Sequence, residues 1–207
     1  MLVFAMVAHE YAHAAVALQQ GDDTAYTLGR VTLNPIPHID PVMSLLLPAV
    51  LWFASNGQYT FGGAKPVPVN SRKFRHFKRG DILVSAAGVT TNFFLAFVWA
   101  FVFILLGLAA QALPAAGPTL ETAQRMMMFG IYINLLLCFF NLIPIPPLDG
   151  SKVASFGLPG DLGERYDRVV GPYGFLILML LLMSGAFSYI AGPIQQLVFD
   201  VIQGLLQ

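Results

Sequence analysis

The chain has 207 residues, of which 57% are hydrophobic and 11% charged, with 11 Lys and Arg against 11 Asp and Glu. A soluble domain is usually about 45 to 50% apolar, so this composition excludes an ordinary soluble globule and predicts an integral membrane protein; zero net charge gives no sign of a nucleic-acid surface. The lone Cys138 excludes an intrachain disulfide and reads as a small core residue.

Residues 1–20 read as a membrane-length helix. A signal peptide would need a basic start, and this stretch instead carries His9, Glu10 and His13 in its middle. Ionisable side chains in such a segment are costly and usually functional. Their pattern, H-E-x-x-H, puts both imidazoles on one helix face, where they can share one zinc ion while Glu10 serves as a base toward water. The chemistry indicated is metal-assisted hydrolysis of an amide bond, and the blander alternative is a polar cluster bonded between helices.

Residues 21–33, with Thr24, Tyr26, Thr27, Val31 and Thr32, have some strand character and suggest a small β-edge on which an unwound substrate could pair; the alternative is a connecting loop. Asp22, Arg30, Asn34 and Asp40 suggest a polar path for water. Residues 42–54 are apolar but short and contain Pro48, which favours a re-entrant or interfacial piece over a crossing. Further spans are expected at 82–108, 123–143 and 173–190, and the apolar spacing over 194–206 suggests an interfacial helix or a continuation of the last bundle helix. The expected fold is therefore an all-α polytopic membrane protein, a single domain over 1–207 with about four transmembrane helices, a re-entrant or short apolar segment and a possible small β-edge.

Basic residues orient these spans. Lys65, Arg72, Lys73, Arg75, Lys78 and Arg79 fall in the loop 57–81, and Lys152, Arg165 and Arg168 in 144–172, whereas 109–121 and the tail after Pro193 hold no Lys or Arg. The positive-inside rule makes the first two segments cytoplasmic. The expected location is a multi-pass position in the cell membrane with the active site toward the cytoplasmic side. The basic run also suits anionic lipid headgroups.

A catalytic zinc commonly takes three protein ligands. His38, in a rigid proline-flanked segment, and Asp149 are both candidates for the third, whereas His76 reads as a solvated loop residue. Asp149 is favoured because it follows a span through Pro144, Pro146 and Pro147, which cannot continue a helix, and irregular backbone at membrane depth is tolerated where it is buried or lines a cavity. The alternative is a proline-rich turn with Asp149 capping the next segment. Asn92 suggests a brace on the first helix or an interhelical hydrogen bond without catalytic duty.

Together, H-E-x-x-H at His9 to His13, N-x-x-P-x-x-P-x-D-G at Asn141 to Gly150, and the A-G-P-x-x-N-like stretch at Ala87 to Asn92 resemble the site-2 protease family of intramembrane zinc metalloproteases. The stretches Thr32 to Pro41 and Ala64 to Asn70 are similar to a compact bacterial or archaeal branch of it. Val89 stands where the family usually has proline. The resemblance implies one zinc ion per chain held by His9, His13 and Asp149, with Glu10 as general base and Asn141 holding the scissile backbone or its oxyanion. It implies a transmembrane protein substrate and a lipid bilayer as partners, and no nucleic acid. Two other classes use the same groups differently: a metal or proton transporter, and a catalytically silent scaffold that binds transmembrane helices.

Overall fold

The computed structural model describes residues 1–57 and 62–206; within the expected loop 57–81, Gln58, Tyr59, Thr60 and Phe61 lie outside the described residues. Among the described residues the elements are helices and turns: α1 (Leu2–Gln20), α2 (Thr24–Thr27), α3 (Leu47–Ala54), α4 (Phe77–Ala112), α5 (Gly117–Asn141), α6 (Asp149–Gly157), α7 (Leu162–Val170), α8 (Gly174–Met183) and α9 (Ser188–Leu206). The all-α architecture agrees with the sequence. The possible β-edge over 21–33 does not form: no strand occurs among the described residues, and Thr24 to Thr27 make one turn of helix instead. The β-branched residues there carry only a weak preference, and the Asp22 carboxylate, which accepts from the Thr24 N–H and hydroxyl, favours a turn.

Two compact units are present, Met6–Gly88 and a larger one made of Met1–Ala5 with Val89–Gln207, so the boundary falls inside α1 and inside α4. In the Met6–Gly88 unit, α1 ends where Gly21 takes φ +108. The Asp22 N–H then reaches Ala17 O at 2.9 Å and the Gly21 N–H reaches Leu18 O at 3.1 Å, the paired bonds of a glycine-terminated helix. Alanines on α1 let neighbours pack close: Ala14 meets Ala25 and Val67, and Ala17 meets Phe74 and Val84. Pro41–Leu46 is π-helical and runs into α3. At 1.5 Å per residue this apolar piece, Pro41–Ala54, is about 21 Å long, short of a hydrocarbon core of about 30 Å, as its length in the sequence suggested.

In the larger unit, Phe103 of α4, Ile131 of α5 and Val198 of α9 form a buried cluster with Trp99, Met127, Met128 and Leu135 around it. Asn92 and Asn134 are both fully buried. The Asn92 amide donates to Ala5 O at 3.3 Å and to Asn134 Oδ1 at 2.9 Å, and Asn134 donates to Gly130 O at 2.8 Å, so Asn92 makes interhelical hydrogen bonds to the start of α1 and to α5. α9 packs along α5 with Ile194 and Val198 buried; positions 201, 202, 205 and 206 of the apolar pattern lie outside the residues whose side chains are described. After α5 the chain turns through the prolines, and α6 is pinned to α7 by Ser155 Oγ donating to Asp167 Oδ2 at 2.8 Å.

Among the described residues, three helical segments are long and apolar enough to cross a membrane: Phe77–Ala112, Gly117–Asn141 and Leu162–Met183. The first contains the expected 82–108 span and extends it at both ends, and the second covers the expected 123–143 span up to Asn141, starting six residues earlier. The last corrects the expected 173–190 span, because the helix stops after Met183, Gly185 takes φ +74, and the apolar stretch is completed on its N-terminal side by α7. The 19-residue α1 falls outside this group, since its His, Glu and Gln residues dilute its apolar character.

Candidate metal centre

One turn apart on α1, His9 and His13 are both buried, at 8% exposure each. Their Nε2 atoms lie 2.9 Å apart, with the rings meeting edge to face. His13 Nδ1 sits 2.6 Å from the carbonyl oxygen of Val84 on α4. A carbonyl can only accept, so Nδ1 carries the ring proton and Nε2 turns its lone pair toward His9. Two nitrogens each about 2.0 to 2.1 Å from a tetrahedral ion stand about 3.3 Å apart, so the pair needs to open by only a few tenths of an ångström to share one.

One turn beyond Val84, Gly88 brings α4 against the same two atoms. A Cβ there would lie 2.5 Å from His9 Nε2 and 2.6 Å from His13 Nε2, so the backbone passes this point only because glycine has no side chain. The space a methyl would fill is the space both nitrogens face. Two imidazole nitrogens side by side, one ring with its tautomer fixed by Val84, and an open cradle fit a zinc ion.

Glu10 Oε2 accepts the Val67 backbone N–H at 2.8 Å. Val67 belongs to an irregular segment, residues 64–69, in which Pro66 and Pro68 lack the N–H groups a helix or sheet would use. Charged side chains bracket this segment. At one end Arg30, 6% exposed, donates to Lys65 O at 2.7 Å; at the other Asp22, fully buried, accepts the Asn70 N–H at 2.6 Å. Burial would raise the Asp22 carboxyl, but hydrogen bonds from Thr24 and Asn70 and the nearby Lys73 ammonium outweigh it and hold the group below its ordinary value. Asp22 and Arg30 are thus engaged in holding the chain.

His38, the other candidate ligand in this unit, is 2% exposed with both ring nitrogens engaged: Nε2 with Thr32 O at 3.0 Å, and Nδ1 facing Arg30 Nη2 at 3.4 Å. It is not poised to bind a metal. His76 is exposed, as its basic surroundings suggested. In the larger unit, Asp149 is the partly buried first residue of α6, immediately after the proline turn that closes with Leu148 N–H on Ile145 O at 2.9 Å. Asn141 is the last residue of α5 and donates its amide to Leu137 O at 2.9 Å, leaving its carbonyl oxygen as the group available for other work. Gly88, Val84 and Val67 were missed as contributors to the centre. Gly88 had a signal in the A-G-x-x-x-N stretch, whereas the other two act through backbone atoms that any residue type would supply.

The model of peptidase family M50 matches residues 112–184, which include Asn141 and Asp149. Relatives that carry the name "Putative zinc metalloprotease" include YwhC of Bacillus subtilis (strain 168), 35% identical over 93% of this chain and 82% of its own length, and Rip2 of Mycolicibacterium smegmatis, 32% identical over 87% of this chain. The chain spans 64% of that Rip2 protein's length. No solved structure matches the chain at a significant level. With a relative of this identity matched over most of both chains, the chain belongs to peptidase family M50, the site-2 protease family, and is a membrane metalloprotease.

Proposed function

We propose that the chain hydrolyses a peptide bond within or near a transmembrane segment of a membrane-protein substrate, with one zinc ion held by His9, His13 and Asp149 and with Glu10 as general base. The observation that carries the reading is the His9 and His13 Nε2 pair, 2.9 Å apart with His13 Nδ1 tied to Val84, beside a glutamate one of whose oxygens is already anchored. Two imidazoles and one carboxylate form a donor set that zinc commonly takes in hydrolytic sites, with a position left open for the reaction. Bound there, zinc supplies Lewis-acid polarisation of the substrate carbonyl and a lowered pKa for water.

The chain's own groups do the rest. With Oε2 held by Val67, the other oxygen of Glu10 takes a proton from the attacking water and delivers it to the leaving amine. The Asn141 side-chain carbonyl holds the scissile backbone, in keeping with the family pattern in which it sits. A transmembrane substrate must unwind locally first, because its scissile carbonyl is bonded within its own helix. Lys and Arg residues concentrated in 57–81 and 144–172 support a multi-pass arrangement in the cell membrane with the site toward the cytoplasm.

Reconstitution of the wild type and Glu10→Gln with candidate single-span substrates, with zinc quantified in both, tests this reading. Glu10→Gln should keep its zinc while cleavage falls by about 10²- to 10⁴-fold, the usual worth of a general base. Undiminished cleavage by the variant would remove Glu10 from this role, and metal flux across the vesicle without cleavage by the wild type would replace hydrolysis by transport.

A further inference from the structure

Arg30 and His38 take no part in the chemistry just described, yet they are among the most buried polar side chains of the Met6–Gly88 unit. A guanidinium 6% exposed is costly unless its donors are used. Arg30 Nη2 donates to Lys65 O at 2.7 Å and lies 3.4 Å from Pro66 O, so two successive carbonyls of the 64–69 segment converge on one cation. His38 completes the arrangement. Its Nε2 faces the Thr32 carbonyl at 3.0 Å and so carries the proton, which leaves the Nδ1 lone pair toward Arg30, while its backbone carbonyl accepts the Lys65 N–H at 2.8 Å.

The residue after those two carbonyls is Val67, whose N–H is the one on Glu10. Pro66 and Pro68 on either side have no N–H to offer, so a slip of the segment by one residue would leave the carboxylate without a donor. The position of a single amide relative to Glu10 therefore depends on what fixes Lys65 and Pro66.

We propose that Arg30, seated on neutral His38, is a positioning residue for Glu10: by holding the carbonyls of Lys65 and Pro66 it sets the Val67 N–H on one carboxylate oxygen and so aims the other at the reaction. This rests on the reading of Glu10 as the general base. Arg30 touches neither substrate nor metal, and its effect is transmitted through two peptide units. His38 acts as the acceptor that keeps the guanidinium turned toward those carbonyls. A loop brace without this duty would affect folding and substrate binding alike, whereas an aiming device affects the chemical step while zinc stays bound.

The test compares wild type, Arg30→Met, Arg30→Lys and His38→Gln in detergent and in vesicles. It measures amide exchange at Val67, zinc content, and kcat and KM on a single-span substrate. Arg30→Met should speed Val67 exchange about tenfold, the loss expected when one hydrogen bond is released. It should lower kcat by about 10- to 100-fold with KM within about twofold and one zinc per chain retained, because a misplaced catalytic group costs rate rather than binding. Arg30→Lys, which still reaches one carbonyl, should fall between. His38→Gln, which keeps a donor and an acceptor, should stay near wild type. If Arg30→Met does not fold, the graded response of Arg30→Lys carries the test. Unchanged Val67 exchange in the Arg30 variants, or a rise in KM with kcat intact, overturns the proposal. A wild type that cleaves nothing while Val67 still responds to Arg30 keeps the mechanical link and removes the protease reading instead.

Discussion

Gly88 contributes no atom to the proposed centre beyond its backbone, and that is its function there. The spacing of His9 and His13 was legible because H-E-x-x-H fixes two side chains on one helix face. The room for an ion between their nitrogens was not, because it depends on which residue of α4 crosses them. Gly88→Ala puts a methyl 2.5 to 2.6 Å from both Nε2 atoms, a distance real Cβ contacts do not show. Within a helix alanine is favoured over glycine by about 1 kcal/mol, so the variant should keep its helical content while zinc binding falls by about 10-fold or more, since the ligating rings must move to admit the methyl. Zinc stoichiometry beside circular dichroism checks this, and a variant with full zinc content would show that the cradle is not where the ion sits. Asp149 stands out as a candidate from its neighbours: Pro144, Pro146 and Pro147 force irregular backbone after a span, and the acid follows directly.

At the scale of elements, the bracketed segment 64–70 shows where sequence reading stops. Its prolines announce chain that is neither helix nor inner strand, but nothing in them reveals that Glu10, Arg30 and Asp22 are the groups it meets. The strand character in the sequence lies instead in residues 21–33, where Asp22 makes a turn and then reaches the far end of the segment through the Asn70 N–H. Because Asp22 is held below its ordinary value of 3.8, its ionised form favours the folded state. That contribution is complete above the unfolded value and is lost as pH falls through 3.8 toward the lower folded value. Thermal unfolding followed between neutral pH and pH 3 should therefore show an acid-side loss of stability that Asp22→Asn, already weakened at neutral pH, largely lacks. An identical acid limb in the two proteins would assign it to other carboxylates. Lys73 pairs with Asp23 at 2.6 Å on the surface, where its effect on stability is screened.

For the molecule as a whole, composition alone announced the membrane, and the three long apolar helices among the described residues agree with it. Hydropathy placed the middle spans well and the last one poorly, since Ala186, Phe187, Tyr189 and Ile190 keep the sequence apolar beyond Gly185, just past the helix end at Met183. The proposed centre asks more than hydropathy can give: imidazoles from the start of the chain and a carboxylate from beyond α5 serving one ion. The most direct test is zinc content together with zinc K-edge absorption on the purified wild type, Asp149→Ala and His13→Ala. The wild type should bind one zinc with two imidazole nitrogens and carboxylate or water oxygens at about 2.0 to 2.2 Å, and each variant should lose most of the metal or show a changed coordination shell. An Asp149→Ala protein that keeps one zinc with a spectrum identical to the wild type would contradict the proposed ligand set.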